Sequence, residues 1–229
     1  MRQNCVQHDP KLQSLANPIE NGVFMRSDMT IGSSFPDYEL PDHTDMLRRL
    51  SFLQGDDPMV LTLHRGVYCP RDRQQLHELV HFSKLCAVGF VRLLSISTES
   101  LMISNALRSG VGADWTFLHD QQGKIKQDLE IEEYTDPDPT PMIPHTFVLE
   151  PGLKIYKIYN GYWYWGRPSL AELHLDLRDI TSRIRSDYQI DTPQMRSKWE
   201  SGNKADFSPY GKSPAQTLIR MVNAIDQFE

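Results

Sequence analysis

His64-Arg65-Gly66-Val67-Tyr68-Cys69-Pro70-Arg71-Asp72-Arg73-Gln74-Gln75-Leu76, preceded by Met59-Val60-Leu61-Thr62-Leu63, is the stretch whose reading decides the fold. The run from Met59 to Leu63 is apolar except for Thr62 and follows Asp56-Asp57-Pro58, so its length and composition predict a buried central strand. Pro70 suits the first helical position, and Leu76, Leu79, Val80 and Ser83 recur at helical spacing. A helix from about Pro70 to Leu85 follows. Cys69 therefore stands at a strand-to-helix junction, where unpaired backbone N–H groups and the helix dipole favour a thiolate. It is the candidate nucleophile, with Arg65, Arg71 and Arg73 as nearby cations.

Downstream, Val88 to Ser97 reads as a second strand, and Thr98, beside Glu99, caps a helix running toward Arg108. Trp115 to Leu118 reads as a short strand and Lys124 to Ile131 as a short helix. Asp136-Pro137-Asp138-Pro139-Thr140-Pro141 is a stiff loop, since three prolines in five residues exclude regular structure. Ile143 to Leu149, the turn Glu150-Pro151-Gly152 and the alternating run Leu153 to Tyr159 make a hairpin. After Tyr162-Trp163-Tyr164-Trp165, a pocket lining, a dimer contact or a half-buried edge, Pro168 opens a helix carrying Leu170, Leu173, Leu177 and Ile180 to about Ile184.

Upstream, residues 1–30 lack periodicity and read as an extension, and Thr44 to Leu53 reads as a short helical or irregular segment. Residues 186–229 form a second extension. It ends in an amphipathic helix after Ser213-Pro214, whose Leu218, Met221, Val222, Ile225 and Phe228 dock on the core or on a partner subunit, as in a homodimer. Strand, helix, strand, helix, hairpin, helix is an α/β order. It gives a thioredoxin-like domain over residues 31–185, with a mixed central sheet and helices on both faces.

Composition bounds the function. With 229 residues, 39% of them apolar, the chain builds one sizeable core and still leaves long surface segments. A net charge of -6, with no lysine or arginine cluster standing clear of acids, argues against a nucleic-acid partner. The amino terminus lacks the apolar core of a signal peptide and no run reaches membrane-spanning length, so a cytoplasmic protein without a membrane partner is expected. Three cysteines are too few for a disulfide scaffold, which fits a reduced compartment.

In its residues, the chain resembles the peroxiredoxin-like branch of the thioredoxin superfamily, the alkyl hydroperoxide reductase and thiol-specific antioxidant group, over roughly residues 31 to 185. His64 to Pro70 looks like that family's turn bearing the reactive cysteine, and Thr146 to Leu149 through Ile155 looks like its hairpin. Ile143-Pro144 is similar to the thioredoxin-fold proline whose preceding peptide is cis and which faces the active cysteine. The resemblance implies that Cys69 attacks a small-molecule peroxide to form a sulfenic acid, with no metal or other cofactor. Arg65, by adjacency, and Arg167, in Gly166-Arg167-Pro168, are the candidates to orient the peroxide or stabilise the departing oxygen. Pro70, Asp72, Ile143 and Pro144 are the expected walls of the site.

The chain also departs from the family. Asp72 stands where a CxxC pair needs its second cysteine, and a carboxylate there raises a thiol pKa. Thr62 and Gly66 occupy the places where the family has proline and a peroxide-activating threonine or serine. Cys86 lies about 25 Å along the same helix and reads as a core residue, while Cys5 sits in the amino-terminal extension. A one-cysteine mechanism with an external thiol, glutathione or a thioredoxin-type protein, is expected. The alternative is a redoxin-fold binding or partner-interaction protein without peroxidase activity. His64 is either an acid–base partner or a hydrogen-bonded strand-end histidine. His77-Glu78-Leu79-Val80-His81 matches HExxH, but Glu99 is the only acid spaced to serve as a third ligand, so no metal is assigned.

Overall fold

The computed structural model describes residues 25–135, 141–162, 164–207 and 214–225. In chain order the strands are β1 (Glu39–Pro41), β2 (Leu47–Arg49), β3 (Met59–Leu63), β4 (Arg92–Ser97), β5 (Thr116–His119), β6 (His145–Glu150) and β7 (Lys154–Asn160). The helices are α1 (Leu50–Gln54), α2 (Pro70–Val88), α3 (Leu101–Val111), α4 (Lys124–Asp128), α5 (Leu170–Ile184), α6 (Pro193–Glu200) and α7 (Pro214–Ile225).

The five-stranded sheet runs β5-β4-β3-β6-β7, with β3 at its centre, parallel to β4 and antiparallel to β6. All five residues of β3 are buried, as expected for a strand covered on both faces. Alternate residues divide between two cores. Leu61, Leu63, Leu94, Ile96 and Phe147 pack with Phe35, α1 and α4 on one face. Val60, Phe117 and Val148 pack with Leu76, Leu79, Leu107, Leu173 and Ile180 of α2, α3 and α5 on the other. This is the expected α/β thioredoxin-like arrangement. Among the described residues, no helix is long and apolar enough to cross a membrane.

Several boundaries differ from the sequence reading, each for a local reason. The strand expected from Val88 starts at Arg92, because α2 continues to Val88 and Gly89 caps it. The cap of α3 is Ser100, whose Oγ accepts the Ile103 N–H, rather than Thr98. The helix expected to open at Pro168 starts at Leu170, because Ser169 caps it in a reciprocal capping box with Glu172. The segment Thr44 to Leu53 contains β2, paired antiparallel with β1, before the short α1. The expected helix from Lys124 stops at Asp128, and α6 adds a helix not anticipated within 186–229. The greater part of the proline loop, 136–140, lies outside the described residues.

The carboxy-terminal helix docks by its polar side. Arg220 of α7 reaches the buried Asp57 carboxylate at 2.7 and 3.1 Å, where Arg92 and Arg185 also converge, at 3.2 and 3.3 Å. Leu218, Met221, Val222 and Ile225 face solvent. The helix lies against α2 and is anchored by a buried charge just before β3, because Asp57 must be paired once it is removed from water.

Candidate active site

The junction after β3 is built as the sequence suggests. Cys69 is the extended residue before α2, Pro70 is the first helical residue, and the Cys69 carbonyl accepts the Arg73 N–H at 3.1 Å. The Cys69 N–H donates to Gly66 O at 3.2 Å, which closes a tight turn over Gly66 to Cys69. Gly66 has φ +103°, and a Cβ there would lie 2.2 Å from the Glu99 carboxyl carbon. Glu99 in turn accepts the Val67 N–H at 2.7 Å. Glycine is thus required both for the backbone angle and for the space. Gly66→Ala is expected to cost about 1–3 kcal/mol and to displace Glu99; unchanged urea stability of the variant would contradict this.

Asp72, one turn into α2, is completely buried. Its Oδ2 accepts the Arg65 N–H at 2.7 Å, and its Oδ1 accepts Arg167 Nε at 2.8 Å and Nη2 at 2.5 Å. Arg167 Nη1 donates to Gly161 O at 2.8 Å, and Nη2 lies 3.7 Å from Cys69 Sγ. Arg167 and Cys69 are 98 residues apart in sequence and in contact in the fold. Asp72 is therefore the clamp that aims Arg167 at the sulfur, a role beyond the opposing charge read from the sequence.

Cys69, Arg65, Arg167, Pro70 and Pro144 line one cavity of about 380 Å³, together with Arg71, Glu133, Thr135, Gly161, Tyr162 and Tyr164. Pro144 is held to the far wall by its carbonyl, which accepts the Gly161 N–H at 2.8 Å. Ile143 does not line the cavity; it is buried in the core below. Burial pushes the Cys69 thiol above its ordinary range, and the Asp72 carboxylate adds to this. The Asp72 and Arg71 N–H groups and the Arg167 guanidinium act in the opposite direction.

His64 is buried against Phe117, and neither ring nitrogen has a hydrogen-bond partner among the described residues. Burial lowers its pKa to about 4 despite the nearby Asp72. Cys86 is buried at the far end of α2, its thiol pushed up to about 12 by burial. Cys5 lies outside the described residues. His77 and His81 are exposed, and among the described residues no group of three candidate ligands could hold a metal ion.

Glu133 and Thr135 were not anticipated from the sequence, whereas Tyr162 and Tyr164 belong to the aromatic stretch for which a pocket lining was one of three readings. The first two reach the cavity because residues 131–133 pair with 141–143, through Glu132 with Met142 and through Ile143 N–H donating to Ile131 O. No spacing in the sequence signals that pairing.

Residues 31–158, more than half of the chain, match the family profile described as AhpC/TSA. The chain belongs to the AhpC/TSA family. Its similar relatives include a Mycobacterium tuberculosis protein named as a peroxiredoxin, 25% identical over 133 residues, which cover 58% of this chain and 86% of that one. Among solved structures, the peroxidoxin BcpB of Mycobacterium tuberculosis superposes with a TM-score of 0.58 at 23% identity, over 67% of this chain and 97% of that one. A peroxiredoxin 6 variant of Arenicola marina superposes with a TM-score of 0.57 at 17% identity, over 69% and 74%. Such structures share the thioredoxin-like fold. The AhpC/TSA match spans β3, the Cys69 turn and the hairpin as far as Ile158, and stops short of Arg167.

Proposed function

We propose that this AhpC/TSA protein is a thiol peroxidase that reduces a hydroperoxide through Cys69, using one cysteine and an external thiol. The carrying observation is the placement of Cys69 at the amino end of α2, with Arg167 Nη2 3.7 Å from its sulfur in a shared cavity. In this reading the Cys69 thiolate attacks the outer peroxide oxygen, and the S–O bond forms as the O–O bond breaks. Arg167, with Arg65 beside it, stabilises the negative charge that develops on the departing oxygen. Cys86, buried at the other end of α2, is too distant to resolve the sulfenic acid within one subunit, which supports an external thiol as reductant.

The test is peroxide titration of the reduced protein, with sulfenic acid detected by mass spectrometry and turnover measured with glutathione or a thioredoxin as reductant. Sulfenic acid should form at Cys69, Cys69→Ser should abolish turnover, and Cys86→Ser should leave it intact. Absence of sulfenic acid at Cys69 would defeat the proposal.

One observation favours the second reading, a redoxin-fold binding protein without peroxidase activity: burial and Asp72 hold the Cys69 thiol above its ordinary range. The two readings part on rate. A thiol that reacts with peroxide no faster than free cysteine at neutral pH would support the binding protein.

A further inference from the structure

We infer that Arg71 binds a carboxylate on the small molecule that enters the Cys69 cavity, which makes the site selective for anionic co-substrates. The carboxylate belongs to an organic hydroperoxide or to the thiol that later reduces Cys69. This rests on the thiol-peroxidase reading. The cavity carries three arginines on its walls, Arg65, Arg71 and Arg167, and one carboxylate among the described residues, Glu133. Two of the cations are matched. Asp72 holds Arg167 through Nε at 2.8 Å and Nη2 at 2.5 Å, and Arg65 interacts electrostatically with Glu133. Arg71 has no such counterpart. Among the described residues its guanidinium makes no ion pair and no hydrogen bond, and it lies over the Tyr164 ring, 4.3 Å from the centroid. The ring face steadies the charge and leaves the planar fork of N–H donors for a carboxylate.

Hydrogen peroxide alone does not fill such a site. A water molecule takes up about 30 Å³ of liquid, whereas the cavity holds about 380 Å³. That volume lies within the range of about 300–1,000 Å³ usual for organic ligands. Exposure is graded across the cavity. Cys69 is 7% exposed and the Arg167 side chain 12%, whereas Tyr164, which carries Arg71, is 78% exposed. The sulfur and Arg167 therefore form the floor, and the pair of Arg71 and Tyr164 forms the rim. A molecule that presents its reactive group to Cys69 leaves its other end at that rim.

Arg71 is well placed to couple the two ends. It is the second residue of α2, and its backbone N–H is directed at the Cys69 sulfur while its side chain lines the cavity. Pro144 and Tyr162 add wall for the carbon frame of the ligand. An unmatched cation at the mouth of a low-dielectric cleft also draws anions toward it. Loss of a charge-assisted hydrogen bond of this kind lowers binding by about tenfold or more.

The experiment compares matched reagents on the full chain by stopped flow. Sulfenic acid formation is measured with cumene hydroperoxide and with its para-carboxylate, and reduction of the sulfenic acid with mercaptoethanol and with mercaptoacetate. The rate for the charged reagent over that for the neutral one is the readout, for the wild type and for Arg71→Gln. Dividing the two ratios cancels intrinsic differences between reagents. In at least one step the ratio should fall by about tenfold or more in Arg71→Gln, with partial recovery in Arg71→Lys. The step in which it falls assigns the carboxylate to the peroxide or to the thiol. Ratios unchanged in both steps would overturn the inference. If Arg71→Gln does not fold, the wild type decides: the ratio in one step must shrink as sodium chloride is added, and ratios indifferent to salt in both steps would overturn it equally. A wild type that forms no sulfenic acid with either hydroperoxide removes the peroxidase reading itself. A reactive wild type whose ratios Arg71→Gln reproduces removes only the role given to Arg71.

Discussion

Replacing Arg167 by alanine is expected to slow peroxide reduction by about 100- to 1000-fold and to destabilise the fold by about 3–5 kcal/mol. Both effects come from one side chain. Arg167 Nη2 is the charged donor 3.7 Å from Cys69 Sγ, where negative charge builds up on the departing oxygen. Its Nε and Nη2 also neutralise Asp72, a carboxylate with no exposed surface. Truncation leaves that carboxylate buried with, among the described residues, the Arg65 N–H as its one remaining hydrogen-bond donor. Arg167→Lys should recover part of the stability and little of the activity. A point charge cannot hold Asp72 with two donors while also reaching the sulfur and Gly161 O. Urea unfolding alongside peroxide kinetics separates the two consequences. An alanine variant with near wild-type turnover would show that Arg167 is structural only.

Stability should also fall steeply on mild acidification, through His64 and His145. Burial lowers both to about 4, and for His145 it prevails over the contact of its Nδ1 with Ile143 O at 2.9 Å. The unfolded chain has ordinary histidines, near 6.5. Above pH 6.5 neither state takes up protons at these rings, and their neutral forms carry no penalty. Between about 6.5 and 4 the unfolded state binds protons that the folded state refuses, so stability is lost as the pH falls through that window. Two and a half units amount to about 3 kcal/mol for each ring, fully lost only below pH 4. His64→Phe should flatten the dependence, since neither ring nitrogen has a hydrogen-bond partner among the described residues to forfeit. Unfolding free energies measured at pH 7 and pH 4.5 check this. Equal values at the two pH values in the wild type would refute it.

The parts of the site that were legible in the sequence are those made by local rules. A five-residue apolar run, a proline at a helix start and a cysteine between them announce a strand-to-helix turn, and that turn is present. The hairpin from His145 to Asn160 was equally plain, because alternation and the Pro151-Gly152 turn are short-range signals. Arg167 was readable as a candidate, but its partner was not. Asp72 read as a charge opposing the thiolate, yet its deeper consequence is to hold Arg167, and a contact across 95 residues has no local signature. Glu133 was not visible for the same reason. Of the two dockings expected for the tail, the one on this chain's own core is not made by the apolar face of α7: the buried Asp57 draws Arg220 inward and turns that face to solvent.

By itself the sequence determined the order of elements from β3 to α5, the central strand, the Cys69 turn and the absence of a CxxC partner. These follow from backbone and hydrophobic preferences that act over a few residues. Only the tertiary structure decided which charges meet. It placed Arg167 on Asp72 and Cys69, Glu99 in the space beside Gly66, and Glu133 in the cavity. Those choices are made by burial, since a charge removed from water must find its partner wherever the packed chain brings one.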